Sequence, residues 1–449
     1  MTKPAFLSSQ PATLAGAIEH RAPHDLVPYA NNARTHSPKQ VRQIADSIRR
    51  FGFVNPVLIS DDGEIIAGHG RVAAAQLLQL DTVPTLRLSH LSAAERRAYV
   101  LADNKLAENA GWDREILAIE LQALIEMDFD LEITGFALAE IDLVLDEVQP
   151  PAPADRADAL PEPAVGPPVT QPGDLWRLGR HRLLCGDARE ASHVARLMDG
   201  AEAGVIFTDP PYNVPIDGHV SGLGKHRHRE FALASGEMDA AGFTEFLRVT
   251  LGNMAAVARD GAIAFVCMDW RHMGELMVAG AAVFCEMKNL CIWNKTNAGM
   301  GSFYRSKHEL IFVYKLGTAS HVNSFGLGET GRYRTNVWDH AGANVLGAAR
   351  DTDLAMHPTV KPVAMIVEAI KDCSRRGDIV LDTFGGSGST LIAAETCGRA
   401  ARLMEIDPLY CDTILRRYEA LTGETPVHEA TGRAFDQIAQ TQADKEHVQ

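Results

Sequence analysis

The chain has 449 residues, 46% of them hydrophobic, enough for two or three domains with full cores. A net charge of −15 excludes a global polycation, so any contact with nucleic acid has to come from local basic surface. Seven cysteines with no Cys-x-x-Cys pair speak against a zinc or disulfide framework and predict buried thiols in a reducing cytoplasm. No apolar run approaches about 18 residues, and Met1-Thr2-Lys3-Pro4 lacks the apolar core of a signal peptide, so a soluble, cytoplasmic protein without a membrane segment is expected.

In chain order, the first periodic segment is Pro38 to Phe51. It places Val41, Ile44 and Ile48 on one face and Arg42, Arg49 and Arg50 on others, as an amphipathic helix does. A hairpin follows: strand Val57 to Ser60, turn Asp61-Asp62-Gly63, strand Glu64 to Ala67. Gly68-His69-Gly70-Arg71 opens the next helix, Val72 to Leu80. Two readings of this turn stay open. The glycines make the bend while Arg71 pairs with a carboxylate such as Asp103, or Gly68, His69, Gly70 and Arg71 form the nucleotide or phosphate site that the ParB resemblance given below implies. Asn31, Arg34, Asn104 and Lys105 are further candidates for a polar pocket there. Helices are predicted over Leu91 to Leu106, Trp112 to Glu126 and the strongly acidic Ala137 to Glu147. Residues 149–172 carry Pro150, Pro151, Pro153, Pro161, Pro163, Pro167, Pro168 and Pro172 without apolar periodicity and read as a semi-rigid tether between domains 1–148 and 173–424.

Beyond the tether, the buried strand Ala203 to Phe207 runs into Thr208-Asp209-Pro210-Pro211-Tyr212-Asn213. Each proline fixes its φ and removes a donor, and a residue before proline is pushed out of the helical region, so Asp209 and Pro210 are held extended. The Asp209 carboxylate and the Pro210 carbonyl then offer two acceptors to one small target. An exocyclic amine of adenine or cytosine has two N–H donors and a lone pair delocalised into its ring, a poor nucleophile until both hydrogens are held. Tyr212 supplies a stacking face for a base flipped out of the helix. The loop 217–230 contains Lys225, His226, Arg227, His228 and Arg229 in succession, which suits phosphate contact through Lys225, Arg227 and Arg229. The irregular stretch from Thr318 to Met356 contains Arg332, Tyr333, Arg334, Trp338 and His340, and the family resemblance given below implies base-edge readers there. Asp378 to Asp382 reads as a strand, Thr383-Phe384-Gly385-Gly386-Ser387-Gly388 as a tight turn, and Leu391 to Thr396 as a helix. The turn ends in Gly388-Ser389-Thr390 with no lysine, unlike a triphosphate loop. Glu405, twenty residues after Gly385, stands where a Rossmann-like unit places the acid that grips ribose hydroxyls. A nucleoside that carries a methyl group fits both motifs. Residues 425–449 are polar and read as a tail.

Residues 173 to about 424 resemble the β-arranged amino-methyltransferases of DNA, in which the catalytic motif precedes the cofactor turn. Gly186-Asp187-Ala188, Asn289 to Lys295, Lys307-His308-Glu309 and His357-Pro358-Thr359-Val360-Lys361-Pro362 carry the resemblance together with the two motifs above. It implies S-adenosyl-L-methionine as cofactor, held by Asp187, Thr359, Lys361, Asp382, Phe384, Gly385, Gly386, Gly388 and Glu405. Catalysis then falls to Asp209, Pro210, Pro211 and Tyr212, with no metal. Double-stranded DNA is the implied partner, and a homodimer is left open. In that family an Asp opening the catalytic motif usually goes with adenine N6 and a Ser with cytosine N4, which favours N6-adenine here over N4-cytosine. Residues from about Asp25 to Asn109 resemble ParB/sulfiredoxin-like domains, whose Gly-x-x-Arg meets nucleotide phosphates. The acid of the ParB box is absent, His69 and Gly70 standing before Arg71. The expected whole is a two-domain α/β protein, an α+β ParB-like module followed by a Rossmann-like methyltransferase sheet, with the solitary or restriction-companion role undecided. Rival readings are a ParB-like DNA-binding or partition factor with a decayed methylase half, and a nuclease, for which no paired metal-binding carboxylates are found.

Overall fold

A computed structural model describes residues 18–127, 129–148, 154–161, 166–214, 236–296, 303–324, 334–341 and 360–446. Lys225, Arg227, Arg229, Arg332, Tyr333 and Thr359, assigned above to DNA or cofactor, lie outside them. The chain divides into two compact units, 1–137 and 138–449.

The first unit contains strand β1 (Glu19–Arg21), helix α1 (Pro38–Phe51), β2 (Val57–Ile59), β3 (Ile65–Ala67), α2 (His69–Leu77), β4 (Val83–Arg87), α3 (Ala93–Glu108) and α4 (Arg114–Glu126). The sheet runs β1-β4-β2-β3, with β2 and β3 the antiparallel hairpin expected from Asp61-Asp62-Gly63. Val57, Ile59, Ile65, Val72 and Val83 form its core. Helix α1 starts where Ser37 accepts from the Gln40 N–H and Pro38 occupies the first turn. Helix α2 begins three residues earlier than periodicity indicates, because Gly68 adopts φ +107° and caps a first turn made of His69 and Gly70. A side chain at Gly68 would meet both that backbone strain and the Arg71 guanidinium, 2.9 Å from where a Cβ would stand.

The second unit contains α5 (Leu138–Val148), α6 (Ala154–Asp158), β5 (Leu175–Leu178), β6 (His181–Cys185), α7 (Ala191–Met198), β7 (Ala203–Thr208), α8 (Ala240–Ala255), β8 (Ala258–Met268), α9 (Met273–Val283), β9 (Glu286–Lys295) and β10 (His308–Lys315). It continues with β11 (Val337–His340), α10 (Val363–Cys373), β12 (Ile379–Asp382), α11 (Ser389–Thr396), β13 (Ala400–Glu405), α12 (Pro408–Thr422), β14 (Val427–His428) and α13 (Phe435–Glu446). Ten strands form one sheet in the order β11-β9-β10-β8-β7-β12-β13-β6-β5-β14. The centre, β8-β7-β12-β13-β6, is parallel and buried, which explains why these strands read as continuous apolar runs. From β7 the chain passes to β8 on one side, and from β12 to β13 on the other. The crevice at the carboxyl ends of β7 and β12 is therefore the switch point where open α/β sheets bind ligands. Helices on both faces pack the two clusters around Phe207, Phe265 and Ile392, and around Phe243, Leu247 and Phe312. Among the described residues no helix is long and apolar enough to cross a membrane.

Three boundaries differ from the sequence reading. Helix α5, placed above in the N-terminal domain, belongs to the second unit, where Asp142 and Asp146 pair with Arg376, Arg399 and Lys371. The described residues of the tether, 154–161 and 166–172, are packed chain. The Val169 and Thr170 N–H groups donate to the Asp412 carboxylate at 2.8 and 3.0 Å, and Arg417 donates to the Ala157 carbonyl. Residues 425–446 are no free tail either: β14 extends the sheet, and the Phe435 ring, buried, sits 5.5 Å from Trp176. In each case the partner lies far along the chain, so no local pattern could reveal it. Six of the seven cysteines are buried as expected, and Cys285 is exposed.

Candidate active site

The two sequence motifs meet in one pocket at the switch point. Its wall is made by Asp209 to Tyr212 at the end of β7, Asp382 to Gly386 at the end of β12, Glu405 at the end of β13, Asp187 after β6, and Lys361. The two halves are hydrogen-bonded together, since the Thr208 hydroxyl donates to Asp382 Oδ1 at 2.9 Å.

On the β12 side, Asp382 also accepts from the Phe384 N–H at 3.0 Å and from the Thr390 hydroxyl at 2.7 Å, which clamps the glycine turn to the strand and to α11. Gly388 caps that helix with φ +85°, and a Cβ there would lie 3.0 Å from Ile414. Glu405 accepts from the Gly386 and Asp407 N–H groups at 2.8 and 2.9 Å. Burial raises Asp382 and Glu405 alike to a pKa of about 7, against those hydrogen bonds. Phe384 packs on Phe246, ring centroids 6.0 Å apart, and the Asp187 carboxylate is gripped by Arg189 at 2.6 Å.

On the β7 side, the Tyr212 hydroxyl donates to Asp209 Oδ1 at 2.6 Å. Lys361, assigned to the cofactor by resemblance, has its Nζ 2.6 Å from Asp209 Oδ2 and 3.0 Å from Glu309 Oε2, so in this structure it stands on the β7 side beside Asp209. Glu309, on β10, is also paired with Lys295 of β9. Burial raises the Asp209 carboxyl, opposed by Lys361 and assisted by Glu309. Burial works against Glu309 too, but Lys361 and Lys295 override it and hold its pKa down to about 2. Sequence reasoning gave no role to Glu309, Lys295, Thr208 or Thr390. Glu309 and Lys295 do lie within the stretches that carry the family resemblance, and Thr208 and Thr390 within the two motifs, whose pattern assigns the threonines no partner.

In the first unit, His69 Nε2 accepts from the Tyr29 N–H at 3.3 Å, and Arg71 donates to the Pro56 carbonyl at 3.3 Å rather than pairing with Asp103. Its Nε is buried without a hydrogen-bond partner. Arg34 pairs instead with Glu108, as does Lys105, and the Asn104 amide returns to the Val100 carbonyl. Among the described residues no group of three His, Cys, Asp or Glu side chains is set to hold a metal ion.

Residues 203–416 match the family model described as DNA methylase, 115–172 that of a ParB-methyltransferase HTH domain, and 13–105 that of a ParB N-terminal domain. The chain belongs to the N6/N4 DNA methylases, with ParB-family modules ahead of the catalytic domain. Over 80 residues it is 54% identical to the ParB-like nuclease domain-containing protein YnaK of Escherichia coli (strain K12), covering 18% of this chain and 92% of that one. Over 274 residues it is 23% identical to the type II methyltransferase M.HinfI of Haemophilus influenzae, covering 54% of this chain and 74% of that one. The crystal structure of an M1.HpyAVI-SAM complex is 18% identical, with a TM-score of 0.39, covering 52% of this chain and 97% of that one. The pocket holds the Asp209 to Tyr212 segment and the Thr383 to Gly386 turn within one cavity.

Proposed function

We propose that this DNA methylase transfers a methyl group from S-adenosyl-L-methionine to the N6 amine of adenine in double-stranded DNA. The observation that carries the reading is the single pocket in which an amine-gripping carboxylate and a nucleoside-sized glycine turn face each other across β7 and β12. When bound, the cofactor supplies an electrophilic sulfonium methyl. Glu405, with its carboxylate fixed by two backbone donors, suits the ribose hydroxyls, Phe384 the adenine ring of the cofactor, and the backbone of Gly385 and Gly386 a close approach. Asp187 borders the same pocket. Asp209 and the Pro210 carbonyl hold the two hydrogens of the target amine, so that its lone pair leaves conjugation with the ring and points toward the donor side. Tyr212, its hydroxyl tied to Asp209, keeps the flipped base stacked. Burial favours proton uptake by Asp209, the first acceptor for the proton that the methylated amine must release. Lys225, Arg227 and Arg229 supply phosphate contacts.

Adenine is preferred because the motif opens with Asp209. Nucleoside mass spectrometry of DNA treated with the purified protein and methyl donor is expected to show N6-methyladenosine. A methylcytidine peak without methyladenosine would refute the base assignment and leave the amino-methyltransferase chemistry standing.

A further inference from the structure

Glu309 is a largely buried carboxylate on β10 that the proposed transfer does not use, yet it faces the catalytic motif directly. We propose that Glu309 is a positioning residue for methyl transfer: it holds the Lys361 ammonium beside Asp209 and thereby sets the charge under which Asp209 receives the amine. This rests on the function proposed above.

The geometry leaves Lys361 no freedom. An ammonium has three donors, and three acceptors surround this one: Asp209 Oδ2 at 2.6 Å, Glu309 Oε2 at 3.0 Å and the Tyr212 hydroxyl at 3.3 Å. Its remaining surface is closed by the Tyr212 and Trp293 rings, whose centroids lie 5.5 and 5.8 Å away. The residue is 4% exposed. Lys295, over the face of Trp293 at 4.5 Å, pairs with the other oxygen of Glu309. Two carboxylates and two ammonium groups thus balance to zero net charge in a partly buried cluster. An ionised carboxylate offers about four lone-pair sites. Tyr212 and Lys361 occupy one on each oxygen of Asp209, and the others are left for the amine hydrogens. The groups that act on Asp209 are Lys361, Glu309, Tyr212, Cys267 of β8 and Asp382 of β12. Of these, Glu309 opposes the pull of Lys361.

Glu309→Gln keeps an acceptor for Lys361 but removes the opposing charge. Asp209 should then ionise more easily and become a weaker acceptor. The expected result is a kcat lowered roughly tenfold, the equivalent of one weakened charged hydrogen bond. The acid limb of the pH–rate profile should move to lower pH, with the KM for S-adenosyl-L-methionine unchanged. Lys361→Met should move that limb the opposite way, and Glu309→Asp should restore it. The 13C carboxyl resonance of Asp209, assigned with Asp209→Asn and titrated in the free protein, should move in parallel and requires no turnover. A lowered kcat in Glu309→Gln with neither limb nor resonance displaced would overturn the inference. A wild-type protein that leaves DNA unmethylated would overturn the functional reading instead, while the resonance still decides whether Glu309 governs Asp209.

Discussion

Asp142→Ala tests whether α5 is an integral part of the methyltransferase unit. Arg399 is fully buried, and its guanidinium donates to Asp142 Oδ1 at 2.9 Å and Oδ2 at 3.2 Å. Arg376 adds a third bond to Asp142 at 3.1 Å. The remaining partners of Arg399, the Ser374 hydroxyl and the Ser374 and Cys397 carbonyls, are neutral. Val144 and Ile141, buried on the same helix, keep α5 in place after the substitution, so water gains little access to the abandoned charge. Removing one partner of a buried ion pair costs about 3–5 kcal/mol. In a unit larger than 150–250 residues, each kcal/mol moves Tm by about 2 °C, at the low end of the usual range, which sets the expected fall at roughly 6–10 °C. Differential scanning calorimetry of the full chain measures it, the methyltransferase transition being the one that S-adenosyl-L-methionine raises. Asp142→Leu combined with Arg399→Met should recover most of the loss, because an apolar pair of similar volume replaces a buried ion pair at little cost. A fall below about 2 °C in Asp142→Ala, well under the 3–5 kcal/mol scale, would refute the reasoning and detach α5 from this unit.

Asp209→Ala is expected to abolish methylation while calorimetric affinity for S-adenosyl-L-methionine stays within a few-fold of wild type; parallel loss of both would sink the division between the β7 and β12 sides. Glu405 has a pKa raised to about 7 by burial, and ribose hydroxyls favour its ionised form, so cofactor affinity should weaken as pH falls below about 7 and binding near neutrality should release protons, as titration in buffers of different ionisation enthalpy reads directly. The same raised values at Asp382 and Glu405 mean that the free protein loses stability as pH rises from the ordinary carboxylate range through about 7, and a Tm that climbs over that interval would contradict the burial argument. Replacing Lys225, Arg227 and Arg229 together by alanine should reduce the slope of log K against log salt for DNA binding by about 3, and an unchanged slope would remove this segment from the DNA contact.

Local chemistry made much of the fold legible. The apolar periodicity at Val41, Ile44 and Ile48 and the strand-forming runs Val57 to Ile59, Ala203 to Thr208 and Ile379 to Asp382 correspond to observed elements within a few residues. The error at α2 arose because Gly68 in the left-handed region lets glycine and histidine enter a helix that propensity would start later. Errors at the tether and the tail share one cause. Asp412 satisfies the Val169 and Thr170 amides, and Trp176 receives Phe435, so irregular composition was mistaken for absence of packing.

The sequence alone determined the chemistry on offer, because proline geometry around Asp209 and glycine conformation around Gly388 are properties of neighbouring residues. Tertiary structure decided what that chemistry acts with. The strand order sets β7 beside β12, which brings Asp209 and Asp382 to one crevice although they stand 173 positions apart in the chain. It likewise brings Asp209 of the β7 end and Glu309 of β10 to the same ammonium, that of Lys361. Charge pairing in a buried site depends on distances of a few ångströms between elements, and those distances come from the register of the sheet rather than from any spacing along the chain.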